Sequence, residues 1–243
     1  MIKLLKKHPF FTDKTIESCE RLAYQGYCNE NYLLFADGVK YIVRKLLRED
    51  IDRELEYHSH CLAYQKEVTS KLYYYDKVAK YMVFEFIEGY HKVALEQDEI
   101  KRLLSLLKTL HSIEISPTQY PLKSLKSLFT TPHSPAISEA LHTIESYPPQ
   151  YALCHNDLNP QNILWDNETL KCIDFEYAGR MDVYFDLACI SIEFKLSSKE
   201  DKEALAYYFE DKSYFKEKLE AYKIIYRALC EAWFLESLGS MSI

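Results

Sequence analysis

The segment CHNDLNPQNILWDNETLKCIDFE, residues 154–176, holds three polar side chains at fixed intervals. Asn162 follows Asp157 by five residues, and Asp174 follows Asn162 by twelve. Pro160 and the asparagines beside it disfavour both helix and strand, so a loop is predicted around Asp157. Each of the three side chains also stands beside an apolar run, which places them at the ends of short buried elements.

A hairpin is predicted directly after this loop. Asn162-Ile-Leu-Trp and Leu170-Lys-Cys-Ile-Asp are short apolar runs on either side of a polar turn at 166–168. A hairpin of this length returns Asp174 to the loop. In phosphoryl transfer, a loop Asp accepts the proton of the attacking hydroxyl, while a loop Asn and a strand-end Asp hold the Mg²⁺ ions that bridge the phosphates. The spacing therefore predicts a phosphotransferase site, with Asp157 as the base and Asn162 and Asp174 as metal ligands.

CHNDLNPQNIL followed by IDFEYAGRMDVYFDLA resembles the choline/ethanolamine kinase family, in particular the bacterial branch that primes choline for surface glycans. That family lies within the wider aminoglycoside-phosphotransferase and protein-kinase-like group. The resemblance implies an α+β, bilobal protein-kinase-like fold. It implies an N-terminal nucleotide-binding lobe, residues 1–88, with a five-stranded antiparallel sheet and one main helix. A mostly helical catalytic and substrate-binding lobe, residues 89–243, carries the catalytic-loop hairpin.

Composition narrows the class of protein. A chain of 243 residues with 48% hydrophobic content can form two packed lobes. The net charge of −7 argues against a nucleic-acid partner, because phosphate backbones select basic surfaces. Seven scattered cysteines with no C-x-x-C pair favour free thiols in a reducing cytoplasm, and the absence of a long apolar run argues against membrane insertion. Monomer and homodimer both stay open.

The N-terminal elements are predicted from local pattern. A short helix is expected over 14–24, and a hairpin over 31–45 with its turn at Asp37-Gly38. A charged helix is expected over 49–65, and two more strands over 72–75 and 81–87. His58 and His60 stand two apart on that helix, where side chains do not face each other, so they are interpreted as surface residues rather than metal ligands.

The resemblance also assigns roles in the N-terminal lobe. Arg44 stands where kinases place a phosphate-binding Lys, and Glu56 is expected to pair with it, with Glu54 as the alternative. The loop 25–29, which ends at Asn29, is expected to cover the nucleotide phosphates, although it lacks the usual paired Gly and hydroxyl residue. The adenine is expected to bond to backbone around Phe86 and Ile87.

The C-terminal elements are mainly helical. The clearest helix is expected over 98–113, with apolar residues at three- and four-residue spacing that indicate a core face. A proline-rich insertion over 116–150, with a helix at 136–145, is interpreted as mobile and on the substrate side. Two last helices are expected over 199–211 and 213–238.

The departures from protein kinases point to a small substrate. Glu176 replaces the Gly of D-F-G, Asn156 replaces the Arg of H-R-D, and no A-P-E motif follows. A phosphate-switched activation loop therefore has neither its length nor its receiving Arg, which favours a small molecule over a peptide. Asp186 resembles the family's Asp that braces the catalytic loop.

The prediction is thus an ATP- and Mg²⁺-dependent kinase for a small amino-alcohol, choline first. His155 completes the catalytic motif around Asp157. By resemblance, the substrate-side residues are Glu176, Tyr177, Asn159, Tyr226 and Trp233, since aromatic faces and a carboxylate recognise a quaternary ammonium. Ethanolamine, thiamine or an aminoglycoside as acceptor, and a catalytically silent pseudokinase, are the alternatives.

Overall fold

The computed structural model describes residues 1–23, 25, 28–120, 125, 134–167, 169–210 and 212–240, with side chains up to Trp233. The chain divides into two compact units, Met1–Glu88 and Gly89–Ile243. Across the described residues, no helix combines the length and the apolar character needed to cross a membrane.

Unit 1 is built on a five-stranded antiparallel sheet with strand order β1-β2-β3-β5-β4. The predicted α+β class and five-stranded sheet are confirmed. The elements of this unit are α1 (Ile2–Leu5), α2 (Pro9–Thr12), β1 (Ile16–Arg21), β2 (Asn29–Ala36), β3 (Val39–Leu46), α3 (Arg53–Gln65), β4 (Leu72–Asp76) and β5 (Tyr81–Glu85).

The β2–β3 hairpin closes through the predicted Asp-Gly turn. Asp37 and Gly38 both have positive φ, 50° and 72°, which is the backbone of a type I′ turn. This turn matches the right-handed twist of the paired strands, and Asp and Gly tolerate its left-handed backbone. The Asp37 carboxylate also accepts a hydrogen bond from the Thr15 amide at 2.9 Å, which ties the start of β1 to the turn.

Two predictions in this unit were wrong, one about the type of an element and one about where a helix begins. The helix expected over 14–24 is strand β1, which pairs antiparallel with β2 so that Cys19 lies opposite Leu34. The edge of β2 supplies hydrogen bonds that local propensity does not show, and these override it. Helix α3 begins at Arg53 rather than at 49, because the Asp52 carboxylate caps it by accepting from the Leu55 amide at 3.0 Å.

The two faces of the sheet pack against different helices. Tyr41 and Val43 of β3 belong to an apolar cluster with Leu5 and Phe11 of the N-terminal helices. Leu46 points to the opposite face and packs in a second cluster with the side chains around α3. Because side chains alternate along a strand, Arg44 lies on this second face, toward α3.

Unit 2 is mostly helical, with two small antiparallel pairs of strands. Strand β6 pairs with β9, and β7 pairs with β8. The elements are α4 (Gln97–His111), α5 (Pro135–Glu145), β6 (Tyr151–Cys154), β7 (Ile163–Trp165), β8 (Leu170–Cys172), β9 (Gly179–Asp182), α6 (Val183–Glu193), α7 (Ser198–Phe209) and α8 (Lys216–Ser240). A 3₁₀ turn, Pro160–Asn162, precedes β7.

The predicted core face of α4 is confirmed. The five apolar residues of this face are buried: Ile100, Leu103, Leu104, Leu107 and Leu110. Helix α5 lies within the predicted insertion and packs against α8. The insertion's residues 121–124 and 126–133 lie outside the described residues, so its interpretation as a mobile segment stays a prediction.

A buried ion pair fixes the start of α6. The fully buried Lys218 ammonium donates to the Asp182 carboxylate at 2.6 Å and to the Pro148 carbonyl at 2.8 Å. Asp182 also caps α6 by accepting from the Tyr184 amide at 3.2 Å. A lysine is almost never fully buried unless it is paired, so this contact holds α8 to the β9–α6 corner. The corner in turn sets where α6 presents Asp186.

Candidate active site

The loop after β6 holds Asp157 by both carboxylate oxygens. The Asn159 side-chain amide donates to Oδ1 at 3.0 Å, and the Asn162 amide donates to Oδ2 at 2.8 Å. The Asn162 amide also donates to the Asp157 backbone carbonyl at 2.9 Å. The predicted motif thus folds into a compact loop in which the carboxylate is oriented by two asparagines.

Asn162 belongs to the 3₁₀ turn that Pro160 begins. Its backbone carbonyl accepts from the Ile173 amide at 2.9 Å, so the β7–β8 hairpin returns the chain beside the loop, as the spacing predicts. Because the side-chain NH₂ group is bound to Asp157, the amide oxygen is the atom that Asn162 offers to a cation.

His155 is buried and connects the two sides of the site. Its Nε2 lies 2.9 Å from the Ile173 carbonyl, and a carbonyl only accepts, so Nε2 carries the proton. The imidazole also packs against the Phe175 ring, with centroids 4.7 Å apart. The structure therefore places His155 in the interior, where it joins the loop to the segment that carries Asp174.

Two non-glycine residues at the site have left-handed backbone. Asn156 has φ 65° and Asp174 has φ 67°. Asn and Asp tolerate this conformation better than other side chains, but it still costs on the order of 1 kcal/mol. The Asn156 side chain offsets part of that cost by donating to the Tyr177 carbonyl at 3.0 Å.

Asp186 of α6 braces the loop from below. One carboxylate oxygen accepts from the His155 amide at 2.8 Å, and the other accepts from the Asn156 amide at 2.7 Å. The Asp186 side chain is fully buried. These contacts fix the backbone immediately before Asp157, which is the bracing position that the family resemblance implies.

The electrostatic environment favours a cation beside Asp157. Burial raises the pKa of the Asp157 carboxyl above its ordinary value, and the nearby charge of Asp174 raises it further. Hydrogen bonds from Asn159 and Asn162 oppose these effects. Two neighbouring carboxylates repel each other in a partly desolvated site, so a bound divalent cation would relieve the repulsion.

The donor set fits magnesium. Asp174 offers carboxylate oxygens and Asn162 an amide oxygen, and hard oxygen donors of this kind are what Mg²⁺ prefers. Asn162 and Asp174 therefore stay the predicted metal ligands. The interpretation of His60 as a surface residue was wrong: it is buried, and its Nε2 bonds to the Ser70 carbonyl at 2.9 Å, whereas His58 bonds to the Glu54 carbonyl of its own helix.

In unit 1, Arg44 and Glu56 form a buried ion pair. Arg44 Nη1 lies 3.3 Å from Glu56 Oε1, and Arg53 Nη1 lies 2.6 Å from the other carboxylate oxygen. Arg53 also donates to the Asn29 side chain at 3.1 Å. The alternative partner, Glu54, instead binds Lys77 at the surface. Glu56 is therefore the residue that orients the strand cation.

We expect Glu56→Ala to lower the free energy of unfolding by about 3 kcal/mol, because it leaves two arginines buried without their carboxylate. Their side chains are only 8% and 10% exposed. Glu54→Ala is the matched control, and it should change stability by less than about 1 kcal/mol, since an exposed ion pair contributes little. Urea unfolding of both variants measures the difference. Equal small losses of stability in the two variants would show that the pairing of Glu56 with the two arginines does not stabilise the fold.

The predicted nucleotide loop is only partly described. Gln25 joins its two sides, because its side chain donates to the Asn31 carbonyl at 3.0 Å and accepts from the Asn31 amide at 2.6 Å. Gly26 and Tyr27 lie outside the described residues, so their predicted phosphate contacts stay a prediction. Phe86 and Ile87 follow β5 and are partly buried. The Lys40 ammonium lies 5.0 Å from the centre of the Phe86 ring.

The predicted substrate residues lie in unit 2 at different depths. Glu176, Tyr177 and Trp233 are partly buried, whereas Tyr226 is only 5% exposed. Asn159 orients Asp157, as described above. Burial raises the pKa of Tyr226 strongly, and the nearby Cys189, Cys230, Glu193 and Asp157 add to this effect.

Glu193 was not predicted from the sequence. Its carboxylate accepts from the Tyr226 hydroxyl at 2.9 Å, and it lines a groove of about 590 Å³ together with Pro160 of the catalytic loop. An acidic residue at the end of α6 has no local signal of function, because only the packing of α6 against α8 reveals its neighbour. The polar and aromatic side chains that line the groove are Glu193, Glu200, Lys195 and Phe194.

Comparison with known proteins agrees with this geometry. The family model described as "Phosphotransferase enzyme family" matches residues 20–223. A curated relative, Protein LicA of Haemophilus influenzae, is 27% identical over 196 residues, which is 72% of this chain and 58% of the relative. The chain therefore spans little more than half the length of that relative.

Two solved structures show the same fold. The choline kinase LicA from Streptococcus pneumoniae has a TM-score of 0.79 at 22% identity, covering 99% of this chain and 92% of that one. The Plasmodium vivax ethanolamine kinase has a TM-score of 0.70 at 19% identity, covering 96% of this chain and 80% of that one. The kinase-like architecture predicted from the sequence is confirmed.

Proposed function

Because this chain belongs to the phosphotransferase enzyme family, we propose that it transfers the γ-phosphoryl group of ATP to the hydroxyl of an amino-alcohol, with choline as the first substrate. The observation that carries the proposal is the Asp157 carboxylate, which two asparagines orient on a loop whose backbone Asp186 braces. A carboxylate held in this way can act as a general base without rearrangement.

The chemical step uses few protein groups. The substrate oxygen attacks the γ-phosphorus while the bond to the β–γ bridging oxygen breaks, and ADP leaves with that electron pair. Asp157 accepts the hydroxyl proton. When bound, magnesium supplies positive charge to the phosphate oxygens, and Asn162 and Asp174 are the residues that would hold it. His155 keeps the loop and the Asp174 segment in register through its bond to Ile173.

Unit 1 is proposed to bind the nucleotide. The Arg44 guanidinium, oriented by Glu56, has paired donors that suit phosphate oxygens. Asn29 helps to hold the same network through Arg53. The backbone at Phe86 and Ile87 is proposed to bond the adenine edge. In this assignment residues 1–88 bind ATP, and residues 89–243 bind the acceptor and carry out the transfer.

The substrate groove favours a cationic alcohol. Glu193 supplies negative charge, and Tyr226 holds its carboxylate in place. Glu176, Tyr177 and Trp233 are proposed to add a second carboxylate and aromatic faces. A quaternary ammonium has no N–H to donate, so aromatic faces and a nearby carboxylate are the groups that recognise it. The similarity to a choline kinase structure supports the same substrate class.

We expect Trp233→Ala to raise the KM for choline about tenfold while the KM for ATP stays within about twofold, because each aromatic face contributes about 0.5 to 2 kcal/mol to binding a cation. Ile224→Ala, at an exposed position on the same helix, is the control and should change neither value. Steady-state kinetics with each substrate varied gives both constants. If both KM values rise together and the melting temperature falls, Trp233 is structural.

The proposed function is tested by ADP release from the purified chain with ATP, Mg²⁺ and each of four acceptors: choline, ethanolamine, thiamine and an aminoglycoside. Choline should give the highest kcat/KM. If ethanolamine or thiamine is phosphorylated and choline is not, the choline assignment is wrong, but the assignment of the chain as a kinase still holds. ATP binding without ADP release in the presence of any acceptor would indicate the pseudokinase alternative.

A cytoplasmic location is proposed with this activity, because ATP and free thiols are both maintained there.

A further inference from the structure

A chain of hydrogen bonds runs from the surface helix α7 to the catalytic loop. The Tyr208 hydroxyl lies 2.6 Å from His111 Nδ1, and His111 Nε2 lies 3.0 Å from Asp186 Oδ2. The same Asp186 oxygen accepts the His155 amide at 2.8 Å. The His111 side chain is only 4% exposed and that of Asp186 is fully buried. Every atom in this chain therefore has a fixed partner.

The direction of these bonds follows from the chemistry of the groups. The Asp186 carboxylate accepts two backbone amides, and as an acceptor it takes a further hydrogen bond from His111 Nε2. In a neutral imidazole the other nitrogen, Nδ1, is then an acceptor. The Tyr208 hydroxyl is the donor that satisfies it. Asp186 therefore sets the tautomer of His111, and Tyr208 holds the ring in the orientation that faces Asp186.

A metal site is a weaker interpretation of the same cluster. Ligand atoms of His111, Cys154 and Asp186 lie within 4.8 Å of one another, and no other group of this kind occurs among the described residues. However, the Cys154 thiol donates to the Met181 carbonyl at 3.3 Å, and burial raises the pKa of Cys154 well above its ordinary value. A metal would need the thiolate and would have to replace several hydrogen bonds, so we interpret the cluster as a bracing network.

We propose that Tyr208 is a positioning residue for the catalytic loop, acting through His111 and Asp186. The proposal rests on the proposed function, in which the loop carries the base. The Asp186 carboxylate holds the two amides immediately before Asp157, so any rotation of that carboxylate moves the base. Loss of the Tyr208 hydroxyl leaves Nδ1 of His111 without its donor, so the ring is no longer held in one orientation and its bond to Asp186 weakens.

The neighbouring tyrosine gives a matched control. Tyr207 is on the same helix, and its hydroxyl also bonds to α4, at 2.8 Å from Ser105 Oγ. It is exposed and has no part in the His111 network. Tyr207→Phe and Tyr208→Phe therefore each remove a tyrosine hydroxyl that bonds α7 to α4. Only one of the two removes a partner of His111.

We expect Tyr208→Phe to lower kcat about tenfold with the KM for ATP unchanged, because small displacements of a catalytic group are costly for the rate. Amide hydrogen exchange over residues 154–157 should become faster in Tyr208→Phe. Tyr207→Phe should match the wild type in both measurements. If the two variants lower kcat equally, or if Tyr208→Phe leaves both measurements unchanged, the proposal is wrong.

A second pair of variants tests the route through His111. His111→Gln keeps an N–H donor that can reach Asp186, whereas His111→Leu does not, so Gln should retain more activity than Leu. In the His111→Leu background, Tyr208→Phe should have no further effect on kcat or on amide exchange. Additive losses would contradict action through His111. The exchange measurement needs no substrate, so it tests the network even if the acceptor is not an amino-alcohol and turnover is absent.

Discussion

The Asp157→Asn variant is expected to lose turnover, with kcat reduced by on the order of 10² to 10⁴, while the affinity for ATP changes by no more than a few fold. The carboxylate is the proposed proton acceptor, and an amide cannot take that role at neutral pH. The residues proposed to bind the nucleotide, Arg44 and Glu56 among them, are unchanged by the substitution. Single-turnover ADP formation and nucleotide titration together measure the two effects.

The substitution has a local structural cost that a control must separate from chemistry. Asn159 and Asn162 each donate to one oxygen of Asp157, and an asparagine at 157 offers only one oxygen, so its NH₂ group meets a donor. Asp166→Asn is the control, because Asp166 lies in the β7–β8 turn, where its carboxylate accepts from the Thr169 hydroxyl at 3.2 Å. A wild-type kcat in Asp157→Asn would remove Asp157 as the base. A normal kcat in Asp166→Asn shows that the hairpin tolerates the same change.

The catalytic loop could be predicted from the sequence because its residues interact locally. Asp157, Asn162 and Asp174 lie within eighteen positions, and Pro160 and the hairpin determine their geometry with few distant contacts. The left-handed backbone at Asn156 and Asp174 agrees with residue types that tolerate it, although the pattern alone did not reveal it. Short-range chemistry therefore carried the prediction of this part of the site.

Features that depend on distant partners were missed or misassigned. Strand β1 was predicted as a helix because its hydrogen bonds come from β2, and no signal within 14–24 records that partner. The contacts of Glu193 and Tyr208 could not be predicted for the same reason. Their importance comes from α8 and α4, which lie tens of residues away along the chain. A single sequence shows the polar residue but not the helix against which it packs.

The choice between Glu54 and Glu56 illustrates an intermediate case. Both residues are on the first turn of α3, and the number of residues between Arg44 and the helix does not by itself show which of them faces Arg44. Asp52 caps the helix at a defined position, which fixes the phase of α3 and points Glu56 toward Arg44. A capping residue recognised in the sequence would have decided between the two carboxylates. Because the helix was predicted to begin at residue 49, Asp52 was placed inside it and was not recognised as its cap.

The second large effect is expected at Asp174, where Asp174→Ala should abolish the Mg²⁺ dependence of nucleotide binding. A carboxylate offers a full negative charge to the cation, whereas the Asn162 amide offers only a dipole. Asn162→Ala should therefore weaken the Mg²⁺ dependence in the same direction but less. Titrating Mg²⁺ at a fixed ATP concentration gives the apparent affinity, and ATP binding in the presence of a chelator is the reference for each variant.

The backbone at Asp174 decides which variant isolates the charge. Its φ of 67° is unfavourable for alanine, so Asp174→Ala combines loss of the carboxylate with a backbone cost of about 1 kcal/mol. Asp174→Asn keeps a side chain that tolerates this conformation and removes only the charge. Both variants should lose the Mg²⁺ dependence, but Asp174→Ala should also unfold at a lower temperature. An unchanged apparent Mg²⁺ affinity in Asp174→Asn and Asp174→Ala would show that the cation is held elsewhere, and Asp174 would then be a residue that shapes the turn after the hairpin.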